Sequence, residues 1–348
     1  MVTAVVTGAA QAYPAGQSQD EIWAGFFRDH YAGNRLAERI FSSAGVDSRH
    51  AVVNPVDEDI SGWSTGARMM RYATESMPLG KEAVGAALAD ADVRASEVGL
   101  FAVVSCTGYG TPGVDIRLAR DLGMSDGVQR LVVGHMGCYA AVPGLGAVSD
   151  FVQAHGRPAV LLCLELTSLH VQPPTPDIEQ FVAHALFSDA AAAVVVEPGG
   201  PAGLEVVDVA AWTDVSTADH MTWDVTDLGF RMGLSPRVPD VLAEHVRSVV
   251  QGLLSRNGVE VAGVQGWAVH PGGPRILDVV ADRLDLPAAA LDASRATLRE
   301  HGNCSSATVL LVLDRLRRTQ PAGPGEYVVA MAFGPGLTLY AALLRATG

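Results

Sequence analysis

Short, unbroken apolar runs recur along the chain and alternate with segments of helical character, and this pattern constrains the fold more than any other feature. The runs include LFAVVSC, AVLLCLEL and AAAAVVVEP in the first half and GWAVH and EYVVAMAFG in the second. A strand that is apolar at every position is buried on both faces, so helices must cover both sides of its sheet. The sequence therefore predicts a layered α/β fold.

The second half of the chain repeats the first at a fixed offset. The strands that start AVV and WAV are 165 positions apart, and the same 165 positions separate Cys138 from Asn303. Each of these two residues follows a glycine and opens a helix of small residues. We predict two pseudo-duplicated halves, residues 1–203 and 204–348, joined by the turn-rich stretch EPGGPAG. Such a duplication would place Cys138 and Asn303 at one cavity, although chance similarity between two α/β halves is the alternative.

The charge balance excludes a nucleic-acid-binding function. The 348 residues carry 24 Lys and Arg against 38 Asp and Glu, a formal net charge of −14, and no cluster of basic residues that phosphate recognition would need. The longest apolar stretches fall well short of the roughly 18 residues that span a bilayer. The N-terminal MVTAVVTGAAQAYP has no positively charged leader and resembles a first buried strand. We expect a soluble, cytoplasmic protein without stable membrane association.

The four cysteines form no CxxC pair and are too sparse for a disulfide framework, so reduced thiols are expected. No cluster has metal-ligand spacing. Cys138 is the candidate nucleophile because the dipole and free N–H groups of a helix N-terminus, together with a nearby imidazolium, would favour its thiolate. Taken alone, it is also consistent with a buried structural cysteine.

His270 and Asn303 are the candidate partners of this cysteine. His270 ends the strand GWAVH, and open α/β sheets bind their ligands at the carboxyl ends of strands. The amide of Asn303 and a ring nitrogen of His270 could both donate hydrogen bonds to a developing oxyanion. A hydrogen-bonded turn histidine and a helix N-cap asparagine are the alternative interpretations.

The segments VVGHMGCYAAVPGL, AVHPGGPRIL, HGNCSSATVLLVLDRL and AFGPGLTLYAALL resemble, in order and spacing, the type III polyketide synthases of the chalcone synthase family, in their bacterial form. The resemblance covers essentially the whole chain. It implies a thiolase-like αβαβα fold, a homodimer, and a catalytic triad of Cys138, His270 and Asn303. It also implies acyl-CoA and malonyl-CoA as substrates, with no bound cofactor.

The same resemblance suggests substrate-contacting residues. Phe187 in HALFSDAAAA matches the gatekeeper phenylalanine of the family, and Met232 stands where plant enzymes have a second gatekeeper aromatic. For the coenzyme A phosphates, Arg39 matches a basic position of the family, and Arg35, Arg49 and Arg275 are candidates to compensate for the missing lysines. The positions expected to line the reaction cavity are Thr167, His170, Cys106 and Ser305.

The predicted function is iterative, decarboxylative Claisen condensation of malonyl-CoA onto an acyl-CoA starter, followed by cyclisation. The segments WDVTDLGF and LSPRVP favour an alkylpyrone or alkylresorcinol with a fatty acyl starter. A malonyl-primed tetrahydroxynaphthalene synthase is the close alternative. A ketoacyl synthase III that elongates once on a carrier protein, and a catalytically silent partner subunit of the same fold, are the further alternatives.

Overall fold

The computed structural model describes residues 2–200 and 202–348, so Met1 of the predicted first strand and Pro201 of the predicted seam lie outside it. The strands are β1 (Ala4–Ala12), β2 (Gly16–Ser18), β3 (Ser48–His50), β4 (Leu100–Val104), β5 (Gln129–Val133), β6 (Ala159–Glu165), β7 (Ala190–Pro198), β8 (Gly203–Thr213), β9 (Met221–Thr226), β10 (Gly229–Leu234), β11 (Val264–Val269), β12 (Tyr327–Gly334) and β13 (Thr338–Thr347).

Helices separate most of the long buried strands, as the apolar pattern predicted, whereas β7 and β8, β9 and β10, and β12 and β13 follow each other without a helix. The helices are α1 (Gln19–Ile22), α2 (Arg28–His30), α3 (Arg35–Ser43), α4 (Thr65–Asp90), α5 (Val114–Asp121), α6 (Ala141–His155), α7 (Ile178–Leu186), α8 (Val238–Arg256), α9 (Pro274–Leu284), α10 (Asp292–His301) and α11 (Ala307–Thr319). None of the helices in the described part of the chain is both long and apolar enough to cross a membrane.

The main sheet reflects the internal repeat. Its nine strands follow the order β11-β12-β13-β8-β1-β7-β6-β4-β5, which is symmetric about the neighbours β8 and β1. Thus β13, β12 and β11 correspond in position to β7, β6 and β4, while β5 has no counterpart. Within the sheet, the two halves are joined by a short strand pairing between β1 and β8, at Val5 with Glu205 and at Val6 with Leu204. The division at residue 203 stays a prediction.

Three helical layers cover the two halves of this sheet. Apolar side chains of α6 and α11 form one central core with inner strand faces of both halves. On one outer side α4 and α5 pack against β4, β6 and β7. On the other, α8 and α9 pack against β11, β12 and β13. The result is the thiolase-like αβαβα arrangement that the sequence predicted.

Strand β5 differs from the expected burial. The segment RLVV contributes a strand, but most of its residues are exposed, with Leu131 at 37% and Val132 at 56% of their full accessible surface. The reason is position, because β5 is the last strand of the order and pairs with β4 alone among the described strands. An apolar edge strand with free backbone groups is a surface suited to pairing with another chain.

The hairpin of β9 and β10 places two large side chains beside the C-terminal end of α7. Trp223 and Met232 are directly opposite in its antiparallel register. Residues opposite each other in a hairpin point to the same face, so both side chains extend towards α7 and the loop that follows it. This hairpin therefore determines how much room that region contains.

Candidate active site

Cys138, His270 and Asn303 line one cavity of about 940 Å³, called here the main cavity. Cys138 lies in a single turn between β5 and α6, His270 directly follows β11, and Asn303 lies between α10 and α11. All three are buried, at 7%, 1% and 3% exposure. The structure thus brings together the three residues that the sequence proposed as a nucleophile and two hydrogen-bond donors.

Two glycines allow the Cys138 turn to lie close to the loop after β12. Gly137 has φ +71°, and a Cβ on it would be 2.8 Å from Cδ of Pro335. A Cβ on Gly334 would lie 3.0 Å from the Tyr139 ring and 3.3 Å from the backbone nitrogen of Cys138. Because larger side chains would push these segments apart, the two glycines hold the cysteine at the bottom of the cavity.

Burial determines the protonation states of Cys138 and His270. Desolvation raises the pKa of the Cys138 thiol to about 12, although a hydrogen bond with Ser305 acts in the opposite direction. Desolvation also lowers the pKa of His270 to about 3. Both groups are therefore neutral at pH 7, whereas the sequence led us to expect a thiolate favoured by a helix terminus. Desolvation outweighs that effect because the thiol is buried among protein atoms.

The side chain of Asn303 has a defined orientation. Its Oδ1 accepts the backbone N–H of Ser305 at 2.9 Å. Because only the oxygen of an amide can accept this bond, the Nδ2 group keeps its two protons for another partner. Asn303 is not the N-cap of α11, which is Ser306, but its side chain does receive a backbone N–H two residues ahead. The N-cap interpretation is therefore replaced by a local hydrogen bond to Ser305, which leaves Nδ2 available as the donor interpretation requires.

Phe187 and Met232 separate the main cavity from two small spaces behind them, and we call this pair the gate. Both residues line the main cavity and both small spaces. The inner pocket, of about 20 Å³, is also lined by Cys106, Cys138 and Ser305. The second space, the Arg49 chamber, has a volume of about 50 Å³. The gate residues predicted from the sequence thus occupy a boundary between spaces of very different size.

Thr167 and His170 contribute to the walls behind the gate without free polar atoms. The hydroxyl of Thr167 donates to the Ser188 carbonyl at 2.9 Å and also contacts Asp189. His170 is hydrogen-bonded through both ring nitrogens, to Thr107 O at 2.7 Å and from Phe230 N at 2.9 Å. Burial lowers the pKa of His170 to about 3, so the ring is neutral. Thr167 and His170 therefore contribute to the shape of the space behind the gate.

Cys106 lines the inner pocket beside Cys138, and its thiol is neutral. Its Sγ lies 3.6 Å from both carboxyl oxygens of Glu165 and 3.5 Å from Oγ of Ser305. Desolvation, with the charge of Glu165 adding to it, raises the pKa of this thiol well above its ordinary value. A protonated thiol that donates to a carboxylate is a poor nucleophile. Ser305 lies between the two cysteines, since it also hydrogen-bonds to Cys138.

Trp223 and Phe230 were missed at the sequence level although they fill the region behind the gate. Arg49 lines the same region and is buried, which contradicts its expected contact with a coenzyme A phosphate. The indole N–H of Trp223 donates to Cys106 O at 2.8 Å, and its ring centroid lies 5.4 Å from that of His170. The ring of Phe230 stacks on His170 at 4.5 Å. The alternation in the segment TWDVTDLGFRM was the available signal, because a hairpin there places Trp223 opposite Met232.

Two of the arginines proposed for coenzyme A are placed differently. Arg275 lines the main cavity, exposed and 3.3 Å from Asp240. Arg39 is exposed on α3 and does not line this cavity, although its neighbours Ile40 and Ser43 do. Because Arg39 is exposed to solvent beside two residues of the cavity wall, its expected contact with the coenzyme A phosphates stays a prediction. Arg237 is exposed between Pro236 and Val238, two residues of the cavity wall.

Comparisons with known proteins agree with this geometry. Residues 59–200 match the description "Chalcone and stilbene synthases, N-terminal domain", and residues 207–348 match the corresponding C-terminal domain. The chain is 35% identical over 324 residues to a 1,3,6,8-tetrahydroxynaphthalene synthase of Streptomyces peucetius subsp. caesius, covering 90% of this chain and 84% of that protein.

Two further similarities extend over nearly the whole fold. The chain is 31% identical to the alpha-pyrone synthesis polyketide synthase-like Pks18 of Mycobacterium tuberculosis, covering 86% of this chain and 80% of that protein. The crystal structure of 1,3,6,8-tetrahydroxynaphthalene synthase from Streptomyces coelicolor A3(2) superposes with a TM-score of 0.93 at 27% identity, covering 99% of each chain.

Proposed function

The chain belongs to the chalcone and stilbene synthase family, and we propose that Cys138, His270 and Asn303 are the residues with which this type III polyketide synthase condenses coenzyme A thioesters. The observation that carries the proposal is their convergence on the main cavity from three separate segments. A nucleophile, a neutral base and an oriented amide donor are the groups that thioester condensation needs.

The charges of the site suggest the order of proton transfers in loading. His270, neutral at pH 7, takes the proton of the Cys138 thiol as the sulfur attacks the starter thioester. A new carbon–sulfur bond forms, the bond to coenzyme A breaks, and the departing coenzyme A sulfur takes the proton from His270. The starter is then held as a thioester on Cys138, in the wall shared by the main cavity and the inner pocket.

Extension uses the amide of Asn303. When malonyl-CoA loses carbon dioxide, the electron pair of the broken carbon–carbon bond moves onto the thioester oxygen as an enolate. The free Nδ2 protons of Asn303 would stabilise that oxygen, with His270 as a second donor. The enolate carbon then attacks the acyl group on Cys138, and the cysteine sulfur leaves, which frees it for the next cycle.

The space behind the gate favours a short starter. The inner pocket and the Arg49 chamber have volumes of about 20 and 50 Å³. A cavity volume of this kind holds one water molecule per roughly 10–15 Å³, and the inner pocket therefore has room for one or two water-sized groups and the Arg49 chamber for about four. We therefore place a short, malonyl-type starter and a polyhydroxyarene product ahead of the fatty acyl starter and alkylpyrone that the sequence favoured.

Product analysis tests this assignment. Purified protein is supplied with malonyl-CoA alone and with malonyl-CoA plus acetyl-, hexanoyl- or dodecanoyl-CoA, and the products are identified by mass spectrometry. We expect polyketide formation from malonyl-CoA alone and no incorporation of the dodecanoyl chain. Efficient use of dodecanoyl-CoA would instead support the alkylpyrone assignment. Retained condensation by a Cys138→Ala variant, or strict dependence on a carrier protein, would contradict the mechanism.

Two exposed arginine side chains at the mouth of the main cavity are available to bind the phosphates of coenzyme A. In a chain of net charge −14, Arg275 and Arg237 are exposed beside residues of the cavity wall. A phosphate would compete with Asp240 for Arg275, because the ion pair between them is solvent-exposed and weak. We assign the phosphates to these two arginines together with Arg39, which is exposed on α3 beside the cavity wall. Since the substrates are coenzyme A thioesters, a cytoplasmic location belongs to the same proposal.

A homodimer is the final part of the proposal. Strand β5 presents Leu131, Val132 and an unpaired edge at the end of the nine-stranded sheet. Tyr109 and Ile116, on the loop and helix that precede this strand, are also exposed. An apolar edge of this kind is normally covered, and a second copy of the chain would cover it by pairing its own β5.

A further inference from the structure

Arg49 is a buried cation with unused hydrogen-bond donors. Its side chain is 7% exposed, and Nη1 donates to the carbonyls of His184 and Phe187. Nε and Nη2 are buried and have no partner anywhere in the described residues. A buried donor without a partner costs free energy, so in native proteins such groups usually face a water molecule or a ligand.

Arg49 lines the chamber behind the gate, and the neighbouring polar side chains already have partners. Thr167 and Ser168 both donate to Asp189, and the Gln180 amide donates to the Met232 carbonyl. Both ring nitrogens of each lining histidine are hydrogen-bonded. Among the described side chains that line the chamber, Arg49 is therefore the one with free N–H groups.

The charges around the chamber favour an anion. Burial lowers the pKa of the three lining histidines, His50, His170 and His184, so they are neutral at pH 7. The acid that acts on Arg49 is Asp189, whose carboxylate is occupied by Thr167, both donors of Ser168 and the backbone N–H of Val52. The positive charge of Arg49 therefore has no hydrogen-bonded counterion among the described residues.

The chamber lies within reach of the catalytic cysteine. Phe187 and Met232 line the chamber as well as the main cavity that contains Cys138. The carbonyl of Phe187 also accepts a hydrogen bond from Arg49 at 3.2 Å. An acyl group attached to Cys138 that extends past the gate would therefore enter the chamber that Arg49 lines. The volume of about 50 Å³ has room for a carboxylate group.

From these observations we infer that Arg49 forms a carboxylate subsite for acyl chains that carry a thioester on Cys138 at one end and a free carboxylate at the other. The inference rests on the proposed function and deepens it, because it assigns the class of starter. It also distinguishes malonyl-CoA used as a starter from malonyl-CoA used as an extender. A carboxylate paired with Arg49 resists decarboxylation, since loss of carbon dioxide would leave the cation unpaired again, whereas an extender unit is free to lose it.

Acylation of Cys138 without any extender tests the inference. Succinyl-CoA is compared with butyryl-CoA, and glutaryl-CoA with pentanoyl-CoA, because each pair differs mainly in the terminal carboxylate. The initial rate of adduct formation is read from the intact protein mass, with Cys138→Ala as the blank. We expect the wild type to load the carboxylated member of at least one pair as fast as the neutral one. In Arg49→Gln the ratio of carboxylated to neutral loading should fall about ten- to a hundredfold.

Two further variants keep the outcome interpretable. Arg49→Lys retains the charge and should preserve part of the ratio. Arg68→Gln is the matched control, since Arg68 is a fully buried arginine that donates to backbone carbonyls and does not line the chamber. It should leave the ratio unchanged. Two results would overturn the inference and leave the proposed function intact. One is an unchanged ratio in Arg49→Gln. The other is wild-type loading of both carboxylated thioesters more than tenfold slower than loading of their neutral partners. Failure of every thioester to acylate Cys138 overturns the proposed function together with the inference.

Discussion

Phe187 of the gate and Asn303 of the proposed catalytic triad are joined backbone to backbone. The N–H of Asn303 donates to Leu186 O at 2.8 Å, and its carbonyl accepts the N–H of Ser188 at 3.0 Å, which forms an isolated parallel bridge. The side chain that bounds the cavity and the amide proposed to stabilise the enolate therefore move together. A displacement of either segment changes both the gate and the donor.

Gly302 makes this bridge possible, so Gly302→Ala should damage catalysis. Gly302 has φ +72°, and a Cβ there would lie 2.9 Å from Leu186 O and 3.0 Å from Cβ of Ser188. We expect kcat/KM to fall about 100-fold, because small displacements of reacting groups have effects of that size. The control is Gly258→Ala, at φ +69° with open space around it, which should cost about 1 kcal/mol of stability and little activity. Equal activity losses in both variants would contradict the proposed coupling.

Asn303→Asp should separate decarboxylation from loading. The aspartate can still accept the Ser305 N–H, but it offers no proton to the enolate and places a negative charge beside it. We expect the rate of carbon dioxide release from malonyl-CoA to fall by about 10²–10³-fold, the effect of losing one oxyanion donor. Acylation of Cys138 should fall much less. A comparable loss in both steps would assign Asn303 a role in positioning the cysteine.

Trp223→Ala should enlarge the space behind the gate. The indole ring contributes to the walls of both small spaces and packs against His170. We expect kcat/KM for hexanoyl-CoA as starter to rise at least tenfold relative to acetyl-CoA, at a cost of roughly 3 kcal/mol in stability. Trp223→Phe retains most of the bulk but loses the hydrogen bond to Cys106 O, so it should keep the wild-type preference. The same starter preference in all three proteins would exclude Trp223 as a limit on length.

The buried histidines predict loss of stability in acid. The pKa of His170 and His270 is about 3 in the folded protein and 6.5 in the unfolded chain, so only the unfolded chain gains these protons as the pH falls below 6.5. Each histidine should remove about 2 kcal/mol of unfolding free energy between pH 7 and pH 5. Burial raises the pKa of Asp189 to about 6, which acts in the opposite sense below that pH.

Urea unfolding at pH 7 and pH 5 provides the measurement for this acid sensitivity. A His170→Gln variant has no group that titrates at this position, so its stability should fall about 2 kcal/mol less than that of the wild type over the interval. The comparison is between pH dependences, because the substitution also changes the stability at pH 7. Parallel curves for the two proteins would show that His170 does not contribute.

The exposed edge of β5 predicts the oligomeric state. Val132→Lys introduces a charge on the apolar strand that we expect to pair with a second copy. Light scattering after size-exclusion chromatography should show a dimer for the wild type and a mainly monomeric variant. Val225→Lys is the matched control, because Val225 is a similarly exposed valine on β9, away from this edge. A wild-type monomer, or dimers of both variants, would contradict the proposed interface.

The sequence predicted the features that local pattern determines. Unbroken apolar runs were sufficient to predict the layered fold. The 165-residue offset between Cys138 and Asn303, which also separates two strands, predicted the symmetry of the sheet. The charge state of Cys138 was not predictable, because it depends on burial by distant segments. The unused donors of Arg49 could not be foreseen for the same reason, since they depend on which carbonyls α7 and its following loop bring near.

The order of the nine strands has a consequence for how the chain is assembled during synthesis. Strand β13, the last element described, lies between β12 and β8 in the sheet, whereas β1, near the start of the chain, pairs with β8. During translation the half that contains Cys138 leaves the ribosome well before residues 338–347. The half that supplies His270 and Asn303 lacks an interior strand until those residues emerge, so the site is completed only after residues 338–347 have been synthesised. The nascent chain must therefore keep its first half protected from aggregation until then.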